Sequence, residues 1–149
     1  MNEIKVKIKL MRNGVDLPEY ATSGSAAVDL RSAADEDITI EPGKRALIPT
    51  GIAIAPETDG VVAILAARSG LSTKHGITLA NGIGVIDSDY RGEISASLIN
   101  RSDTPYTVVR GERIAQLMFV PVMHAAFISA DELDETSRGT GGFGSTGKN

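Results

Sequence analysis

A dense group of charged side chains occupies the segment GIGVIDSDYRGEI, residues 82–94. Asp87 begins the D-x-D spacing of a calcium-binding loop, and Gly92 stands at the sixth position of that motif. The fifth position is Arg91 and the twelfth is Leu98 instead of a glutamate, so the sequence excludes this calcium site. An ordinary turn also uses short polar residues followed by glycine. The segment alone does not choose between a turn and a ligand site.

A second candidate is ARSGL, residues 67–71, at the end of a predicted buried strand. Arg68, the Ser69 hydroxyl and the amides at a helix start are groups that bind phosphate oxygens. The same residues could instead cap a short helix, with Arg68 paired to a carboxylate. Both interpretations stay open for this segment taken alone.

The segment RGTGGFGSTGKN, residues 138–149, is rich in glycine and contains a G-x-G-x-x-G pattern and the first seven positions of a Walker A loop. Both motifs require a helix after the loop, whereas only Asn149 follows, so we exclude them. Consecutive backbone N–H groups can still surround phosphate oxygens, with Arg138 as a charged fork. Phe143 is an aromatic in a segment predicted to be mobile, which favours a stacking role over a plain linker.

Other catalytic chemistries find little support. The chain has no cysteine, which excludes disulfides, thiol nucleophiles and thiolate metal sites. His75 and His124 are the only histidines and lie far apart in sequence, so neither is predicted to bind a metal. No G-x-S-x-G nucleophile elbow is present, although a Ser-His-Asp hydrolase of another arrangement stays open.

Length and charge limit the class of protein. A chain of 149 residues, 42% of them hydrophobic, predicts a single domain over 1–149, with a body over about 1–137 and a mobile segment over 138–149. A net charge of -4 without a basic run argues against nucleic acid as a partner. The longest apolar run, Val61–Ala67, is too short to span a bilayer, and the N-terminus lacks a secretory signal. We therefore expect a soluble, cytoplasmic protein without membrane partners.

The hydrophobic pattern predicts mainly short strands. Residues 4–10 alternate between aliphatic residues and lysine, which is the period of a half-buried strand. Helix signals are limited to one short turn over 69–74, capped by Ser69, and a capping-box spacing between Ser129 and Glu132. Further strands, separated by the closely spaced turns of an all-β sandwich or barrel, are predicted at 38–40, 46–55, 61–67, 77–79, 82–86, 93–99, 106–109 and 114–122.

Five segments together resemble the motifs of the trimeric dUTP pyrophosphatases, the dUTPase family. The resemblance covers almost the whole chain, in the order and at the spacing of the family. It implies an all-β fold of the distorted jelly-roll β-barrel type, a homotrimer with shared active sites, and dependence on Mg²⁺. It also implies cleavage of dUTP to dUMP and pyrophosphate, which would keep uracil out of DNA and supply dUMP for dTTP synthesis. The segments are SAAVDL at 25–30, ARSGL at 67–71, NGIGVIDSDYRGE at 81–93, GERIAQL at 111–117 and RGTGGFGSTG at 138–147.

The resemblance assigns deoxyuridine recognition to the third segment. Residues 82–91 are implied to form a β-hairpin that reads uracil through its backbone and the Asn81 amide, with Tyr90 against the deoxyribose. Asp87 is implied as the general base that orients and deprotonates the attacking water. The remaining residues implied to line this part of the substrate site are Val85, Ile86 and Ser95.

The triphosphate is assigned to the other segments. Ser69 and Gly70 are implied to hold the α- and β-phosphates beside Arg68. Gln116 is implied to hydrogen-bond a phosphate or the nucleophilic water, and Arg138 to reach the γ-phosphate.

The last segment is implied to form a lid, because residues 138–149 would close over the site of a neighbouring subunit and exclude bulk water. Phe143 would stack on uracil, while Gly144 and Ser145 would add phosphate contacts. Mg²⁺ would be held mainly by the phosphates and by water, with Asp29 acting on it through an intervening water.

Two alternatives use the same fold for other functions. A dCTP deaminase resembles this family but places its catalytic glutamate in the strand after the hairpin, where this chain has Ser97. A non-catalytic dUTP-binding regulator would be favoured if Asp87, Arg138 or Phe143 were missing, and all three are present.

Overall fold

A computed structural model describes residues 3–142, within which eleven β-strands and one α-helix form the regular structure. The helix α1 (Ser69–His75) lies between the sixth and seventh strands, so the predicted all-β class with one short helix is confirmed. The strands are β1 (Val6–Leu10), β2 (Val28–Arg31), β3 (Ile38–Ile40), β4 (Arg45–Pro49), β5 (Ile52–Pro56), β6 (Val61–Ala67), β7 (Ile77–Leu79), β8 (Gly84–Ile86), β9 (Ser95–Asn100), β10 (Tyr106–Val108) and β11 (Arg113–Pro121).

The strands pair antiparallel in four sheets. The largest sheet has the order β2-β11-β6-β8, and a second has the order β4-β9-β7. Two-stranded sheets are formed by β1 with β5 and by β10 with β3. Between residues 3 and 142 the sheets do not join into one closed cylinder, so the predicted barrel takes the form of a jelly-roll-like arrangement of separate sheets.

Aliphatic side chains from most strands form one core. In β6 the residues at alternate positions, Val61, Ala63 and Leu65, are buried, while those between them are half-buried. This period follows from the alternation of side chains across a strand. Each fully buried aliphatic side chain stabilises the fold by about 1.5–3 kcal/mol relative to an exposed one. Among the most deeply buried are Ile40, Ile48, Ile54, Ile77, Leu79, Leu98, Val108, Ile114 and Leu117.

The predicted strand over 46–55 is interrupted at Thr50 and Gly51, where the chain bends between β4 and β5. Gly51 has φ +75°, and a Cβ atom there would lie 2.5 Å from Cγ2 of Val15. The buried Thr50 hydroxyl donates to the Ile94 carbonyl at 2.6 Å. Backbone conformation and tertiary contact therefore break a segment whose hydrophobic pattern is continuous.

Strand β2 was not predicted from the sequence, because four residues with two apolar side chains give too short a pattern to identify. Val28 and Leu30 are buried, and β2 is stabilised by its pairing with β11. The formation of β2 therefore depends on pairing with β11, which is distant in sequence, and not on its local pattern.

The possible helix at residues 129–132 is not formed, and the described residues from 122 to 142 contain no helix. Apolar side chains in this segment are almost fully exposed, including Phe127 at 96% and Ile128 at 89%. An isolated helical turn is unstable without a surface on which its apolar face can pack. The one helix of residues 3–142, α1, is too short to cross a membrane.

Candidate functional site

An acidic side chain shared by two arginines lies on the four-stranded sheet. Arg68 Nε donates to Asp29 Oδ1 at 2.8 Å, and Arg113 Nη1 donates to Asp29 Oδ2 at 3.1 Å. Arg68 Nη1 also donates to the Arg113 carbonyl at 3.2 Å. One carboxylate thus balances only one of the two guanidinium charges, and each guanidinium has five N–H donors. The group formed by Asp29, Arg68 and Arg113, here called the arginine cluster, can therefore attract a further anion.

Gln116 lies beside the arginine cluster because β11 pairs with β2 so that Gln116 is opposite Asp29. Its neighbours Ala115 and Leu117 are buried, so Gln116 points to the other face of the sheet. The Gln116 Nε2 group donates to the Ala67 carbonyl at 2.9 Å. Because Ala67 directly precedes Arg68, this hydrogen bond holds the Gln116 amide close to Arg68.

Arg113 had no role predicted from the sequence, and it reaches Asp29 through an irregularity in β11. The pairing register with β2 shifts between Arg113 and Ala115, and Ile114 and Ala115 are both buried. An extra residue in a strand reverses the alternation of faces. Arg113 can therefore meet Asp29, the residue opposite Gln116, although three positions along a regular strand would put Arg113 and Gln116 on opposite faces. A single sequence gives no signal for such a bulge.

Ser69 and Gly70 begin α1 directly after Arg68, and both are exposed. The prediction that Ser69 caps this helix is wrong, since Arg68 is the N-cap residue and no side chain donates or accepts a capping hydrogen bond. A Cβ atom at Gly70 would meet nothing within 4 Å. The hydroxyl and backbone of this turn are therefore accessible beside the arginine cluster.

A cleft of about 320 Å³ lies around β8, the edge strand at the opposite end of this sheet from β2. Five residues implied to bind deoxyuridine line it together with Asp87, the implied general base. The five are Asn81, Val85, Ile86, Tyr90 and Ser95. The other lining residues are Leu47, Leu65, Gly84, Glu93, Ile94 and Ser97. The structure thus brings the third segment together as one concave surface, here called the β8 cleft.

The implied hairpin over 82–91 is not seen as a pair of strands. Its only strand, β8, pairs with β6, and the residues on either side form turns. Gly84 lies opposite Leu65, where a Cβ atom would come within 2.9 Å of the Leu65 Cβ atom. The absence of a side chain at Gly84 allows β8 to approach β6, and this pairing positions the cleft wall.

The loop after β8 carries Asp87 and Tyr90 on a tight turn. The Tyr90 N–H donates to the Asp87 carbonyl at 3.1 Å, and Arg91 Nη1 donates to the carbonyls of Ser88 and Tyr90. The Tyr90 hydroxyl donates to the Glu93 carbonyl at 3.3 Å. Both Asp87 and Tyr90 are exposed and available to a ligand.

Glu93 lines the β8 cleft, and no role for it was predicted from the sequence. Arg12 donates to both of its carboxylate oxygens, from Nε at 2.7 Å and from Nη2 at 3.0 Å, and the Gly51 N–H donates at 2.9 Å. The pKa of Glu93 is lowered chiefly by the hydrogen bond from Arg12, against an opposing effect of burial, with help from the Gly51 amide. Glu93 is therefore held as a carboxylate and is already occupied by donors.

The side-chain and backbone hydrogen bonds in the described part of the C-terminal segment, residues 138–142, are local. Arg138 is exposed, and its Nε donates to the Gly141 carbonyl at 3.2 Å. The structure therefore does not bring Arg138 to the β8 cleft or to the arginine cluster. The implied ligand contacts of Phe143, Gly144 and Ser145 fall outside the described residues.

The arginine cluster and the β8 cleft share no residue in the described part of the chain. Asp29 lies on β2 and Val85 on β8, which are opposite edges of one sheet. Ordinary strand spacing puts those edges about 14 Å apart. Between residues 3 and 142, no side-chain hydrogen bond connects the two groups.

The acidic residues that the structure describes do not form a preassembled metal site. Within residues 3–142 no group of three or more His, Asp or Glu side chains could hold a metal ion. Both oxygens of Asp29 already accept hydrogen bonds from arginine. Asp29 therefore fits contact with a hydrated ion better than direct ligation, because Mg²⁺ keeps several waters when substrate phosphates also bind it.

Comparison with known proteins gives consistent matches along the chain. A sequence model of the family described as dUTPase matches residues 13–147. The deoxyuridine 5'-triphosphate nucleotidohydrolase of Desulfitobacterium hafniense is 56% identical over an alignment 149 residues long, and the alignment covers 99% of this chain and 99% of that one. The dUTPase of Staphylococcus bacteriophage 80alpha, solved with dUPNHPP, is 28% identical with a TM-score of 0.87, covering 97% of this chain and 99% of that one.

A third protein, the dUTPase from phage phi11 of S. aureus, is known from a structure that describes the coordination of a structural Mg(II) ion. It has a TM-score of 0.79 and 23% identity, and it covers 88% of this chain and 99% of that one. At this identity the likeness supports the fold.

Proposed function

The chain belongs to the dUTPase family, and from this premise we propose how its residues act in a dUTP diphosphatase. The protein hydrolyses dUTP, and the products of this reaction are dUMP and pyrophosphate. The observation that carries the site assignment is that one sheet bears both an arginine cluster, at β2, β11 and the end of β6, and a separate cleft of about 320 Å³ around β8. The first has the chemistry to bind a triphosphate, and the second has the residues to bind a nucleoside.

The reaction proposed is attack of water on the α-phosphorus. A new P–O bond forms to the water oxygen as the bond between the α-phosphorus and the bridging oxygen breaks, and pyrophosphate leaves. Asp87 accepts the proton from the water. A carboxylate is a weak base, so its contribution comes mainly from orienting the water in line with the leaving group. The exposure of Asp87 on the wall of the β8 cleft supports this role.

The β8 cleft is proposed to select deoxyuridine. Asn81 and the backbone near Val85 and Ile86 would hydrogen-bond the base, and Ser95 would line the same wall. Tyr90 would lie against the deoxyribose, where a ribose 2′-hydroxyl would collide with it. The contact of its hydroxyl with the Glu93 carbonyl supports a fixed position for the ring.

The arginine cluster is proposed to bind the triphosphate. The proposed role of Arg68 is supported by the excess positive charge of two arginines that share one carboxylate. We add Arg113 to the candidate site because it binds the same carboxylate. Ser69 and Gly70 would contact the α- and β-phosphates, and Gln116 would hydrogen-bond a phosphate or the attacking water. Preorganised donors of this kind stabilise charge that develops in a transition state.

The C-terminal segment is proposed to complete the site as a lid over residues 138–149, with residues 1–137 as the body of one domain. Arg138 would reach the γ-phosphate and Phe143 would stack on uracil. Gly144 and Ser145 would add contacts to the phosphates. A closed lid would exclude bulk water and so strengthen electrostatic interactions within the site.

Mg²⁺ is proposed as the cofactor. The residues present fit this ion, because Asp29 is a carboxylate beside the phosphate-binding donors, and it is not part of a dedicated cage. When bound to the triphosphate, Mg²⁺ neutralises charge on the phosphate oxygens. Asp29 would contact the ion through water and keep Arg68 oriented toward the phosphates.

A homotrimer with shared sites is proposed as the active form. The separation of the arginine cluster from the β8 cleft supports this proposal, because a cleft from one subunit could face the cluster of another. Large apolar side chains exposed close together in sequence, within residues 123–133, also support it, since concentrations of exposed apolar surface mark protein–protein contact sites. The most exposed are Met123 at 97%, Phe127 at 96%, Ile128 at 89% and Leu133 at 89%.

Cytosine deamination is not favoured by the carboxylates of the cleft. Ser97 lies on the wall at the position where a deaminase would need its glutamate. Glu93 also lies there, but Arg12 and the Gly51 amide occupy its oxygens. A general base needs an oxygen within reach of the proton it removes.

The test is pyrophosphate release by the purified protein with Mg²⁺, with dUTP, dTTP, dCTP and UTP compared side by side. We expect release from dUTP alone and loss of release when EDTA removes the ion. Tight binding of dUTP without release would favour the regulator alternative. Formation of dUTP from dCTP would favour the deaminase alternative.

A further inference from the structure

We propose that Arg12 and Glu93 form a positioning pair that fixes Tyr90 and thereby sets the discrimination between dUTP and UTP. This inference rests on the proposed role of the β8 cleft. Neither residue needs to contact the nucleotide, since the pair would act through the loop that carries Tyr90 and Asp87.

The Glu93 side chain receives three hydrogen bonds from two other parts of the fold. Arg12, which follows β1, binds both carboxylate oxygens in the planar fork geometry that makes arginine–carboxylate pairs specific. The Gly51 amide comes from the bend between β4 and β5. Three separated segments therefore converge on one carboxylate at the end of the Tyr90 loop.

Hydrogen bonds of the backbone next to Glu93 also connect the loop to the segment around Gly51. The Ile94 N–H donates to the Ile52 carbonyl at 2.8 Å, and the Thr50 N–H and hydroxyl both donate to the Ile94 carbonyl. The Met11 N–H also donates to the Gly51 carbonyl at 2.7 Å. The loop is thus held at its C-terminal end by a hydrogen-bonded junction between the end of β1 and the start of β5.

Tyr90 receives its position from this junction. Its hydroxyl donates to the carbonyl of Glu93, the residue whose side chain Arg12 holds. The ring crosses Gly92 so closely that a Cβ atom there would lie 2.3 Å from the Tyr90 hydroxyl oxygen. A shift of Glu93 would therefore move the surface that is proposed to meet the sugar.

The pair differs from an ordinary surface ion pair. The side chains of Arg12 and Glu93 are 30% and 21% exposed, and both carboxylate oxygens are engaged. Exposed single contacts contribute little, whereas bidentate pairs with fixed geometry are the exception. The lowered pKa of Glu93 keeps the pair charged at neutral pH.

The experiment compares Arg12→Met with Arg110→Met in steady-state hydrolysis of dUTP and UTP. Arg110 is the matched control, because it binds the Ala33 and Ala34 carbonyls and Asp35 nearby but does not contact Glu93. We expect Arg12→Met to lower the ratio of kcat/KM for dUTP over UTP by about tenfold, since a small misplacement of a substrate-contacting group has effects of this order or larger. Arg110→Met should change thermal stability without changing this ratio.

A double-mutant cycle tests whether Arg12 acts through Tyr90. Tyr90→Phe removes the hydroxyl that binds Glu93 and should also lower the dUTP/UTP ratio. In the Tyr90→Phe background, Arg12→Met should have a smaller effect on the ratio than in the wild type. Arg12→Lys, which keeps the charge but loses the fork, should fall between wild type and Arg12→Met.

Two outcomes would overturn the pair while leaving the enzyme assignment intact. One is an unchanged ratio in Arg12→Met, with an effect no larger than that of Arg110→Met. The other is full additivity with Tyr90→Phe. A wild-type protein that releases no pyrophosphate from dUTP would instead contradict the proposed function, so the two failures are distinguishable.

Discussion

At the scale of single residues, Asp87 is the side chain on which the proposed chemistry depends most. Asp87→Asn keeps the volume of the side chain but removes its ability to accept a proton. We expect dUTP to bind with nearly unchanged affinity while turnover falls by about 10²–10⁴-fold, the usual contribution of a general base. Calorimetric binding and single-turnover pyrophosphate release measure the two quantities separately.

The control for this substitution is Asp89→Asn, which changes the neighbouring exposed carboxylate by the same chemistry. Asp89→Asn should retain most of the activity. Undiminished turnover in Asp87→Asn would remove Asp87 from the role of base.

Tyr106 gives a residue-scale prediction for alkaline pH. Burial, followed by its hydrogen bond to Glu112, raises the pKa of Tyr106 to about 12. The folded protein therefore keeps a proton that the unfolded chain loses near ~10. Stability from this group is fully present below pH ~10 and is lost progressively as pH rises toward about 12.

Urea unfolding at a series of alkaline pH values checks this prediction. The Tyr106→Phe variant cannot titrate at this position, so its unfolding midpoint should fall less steeply over the same interval. Equal slopes for the two proteins would show that Tyr106 does not contribute to the alkaline loss of stability.

At the scale of elements, the bend between β4 and β5 depends on a glycine. Gly51→Ala would place a side chain in a left-handed conformation and within 2.9 Å of the Ala33 Cβ atom as well as against Val15. We expect a loss of about 2–4 kcal/mol in the free energy of unfolding, from strain and overpacking together. Urea unfolding monitored by circular dichroism measures it.

Gly43→Ala separates the two causes. Gly43 also has a positive φ, of +71°, but a Cβ atom there meets nothing within 4 Å. Only strain remains, so the loss should be about 1 kcal/mol. Similar losses at both positions would show that crowding at Gly51 is relieved by movement of its neighbours.

The elements also show how far a sequence can be read. Strong alternation predicted β1, and the continuous apolar run predicted β6, since both patterns are local. The short strand β2 and the bulge before Ala115 were missed, because both depend on a partner strand distant in sequence. The capping-box spacing at Ser129 did not produce a helix, since nothing in the described chain covers its apolar residues.

The candidate site divides in the same way. Motif resemblance predicted roles for Asp29, Arg68, Gln116 and six residues of the β8 cleft, and the structure groups these residues in two places. It could not identify Glu93 as the point where Arg12 and Gly51 converge, because that role exists only in the folded junction.

At the scale of the whole molecule, the C-terminal segment tests the lid. A chain truncated before Arg138 should keep its assembly, while hydrolysis falls by about 10²-fold or more because the site stays open to water. Light scattering measures the assembly and pyrophosphate release measures the activity. A control truncation that removes only Lys148 and Asn149 should retain activity, and a fully active chain lacking residues 138–149 would contradict the lid.

The separation of the arginine cluster from the β8 cleft has a genetic consequence. If each working site takes its cleft from one subunit and its cluster from another, two different inactive alleles can complement each other within mixed trimers. A chain defective at Asp87 still has an intact arginine cluster, and a chain defective at Arg68 still has an intact β8 cleft. Together the two chains could form one complete site. The same sharing means that chains from one defective allele would also inactivate some sites that contain a normal chain. Loss of function would therefore be partly dominant.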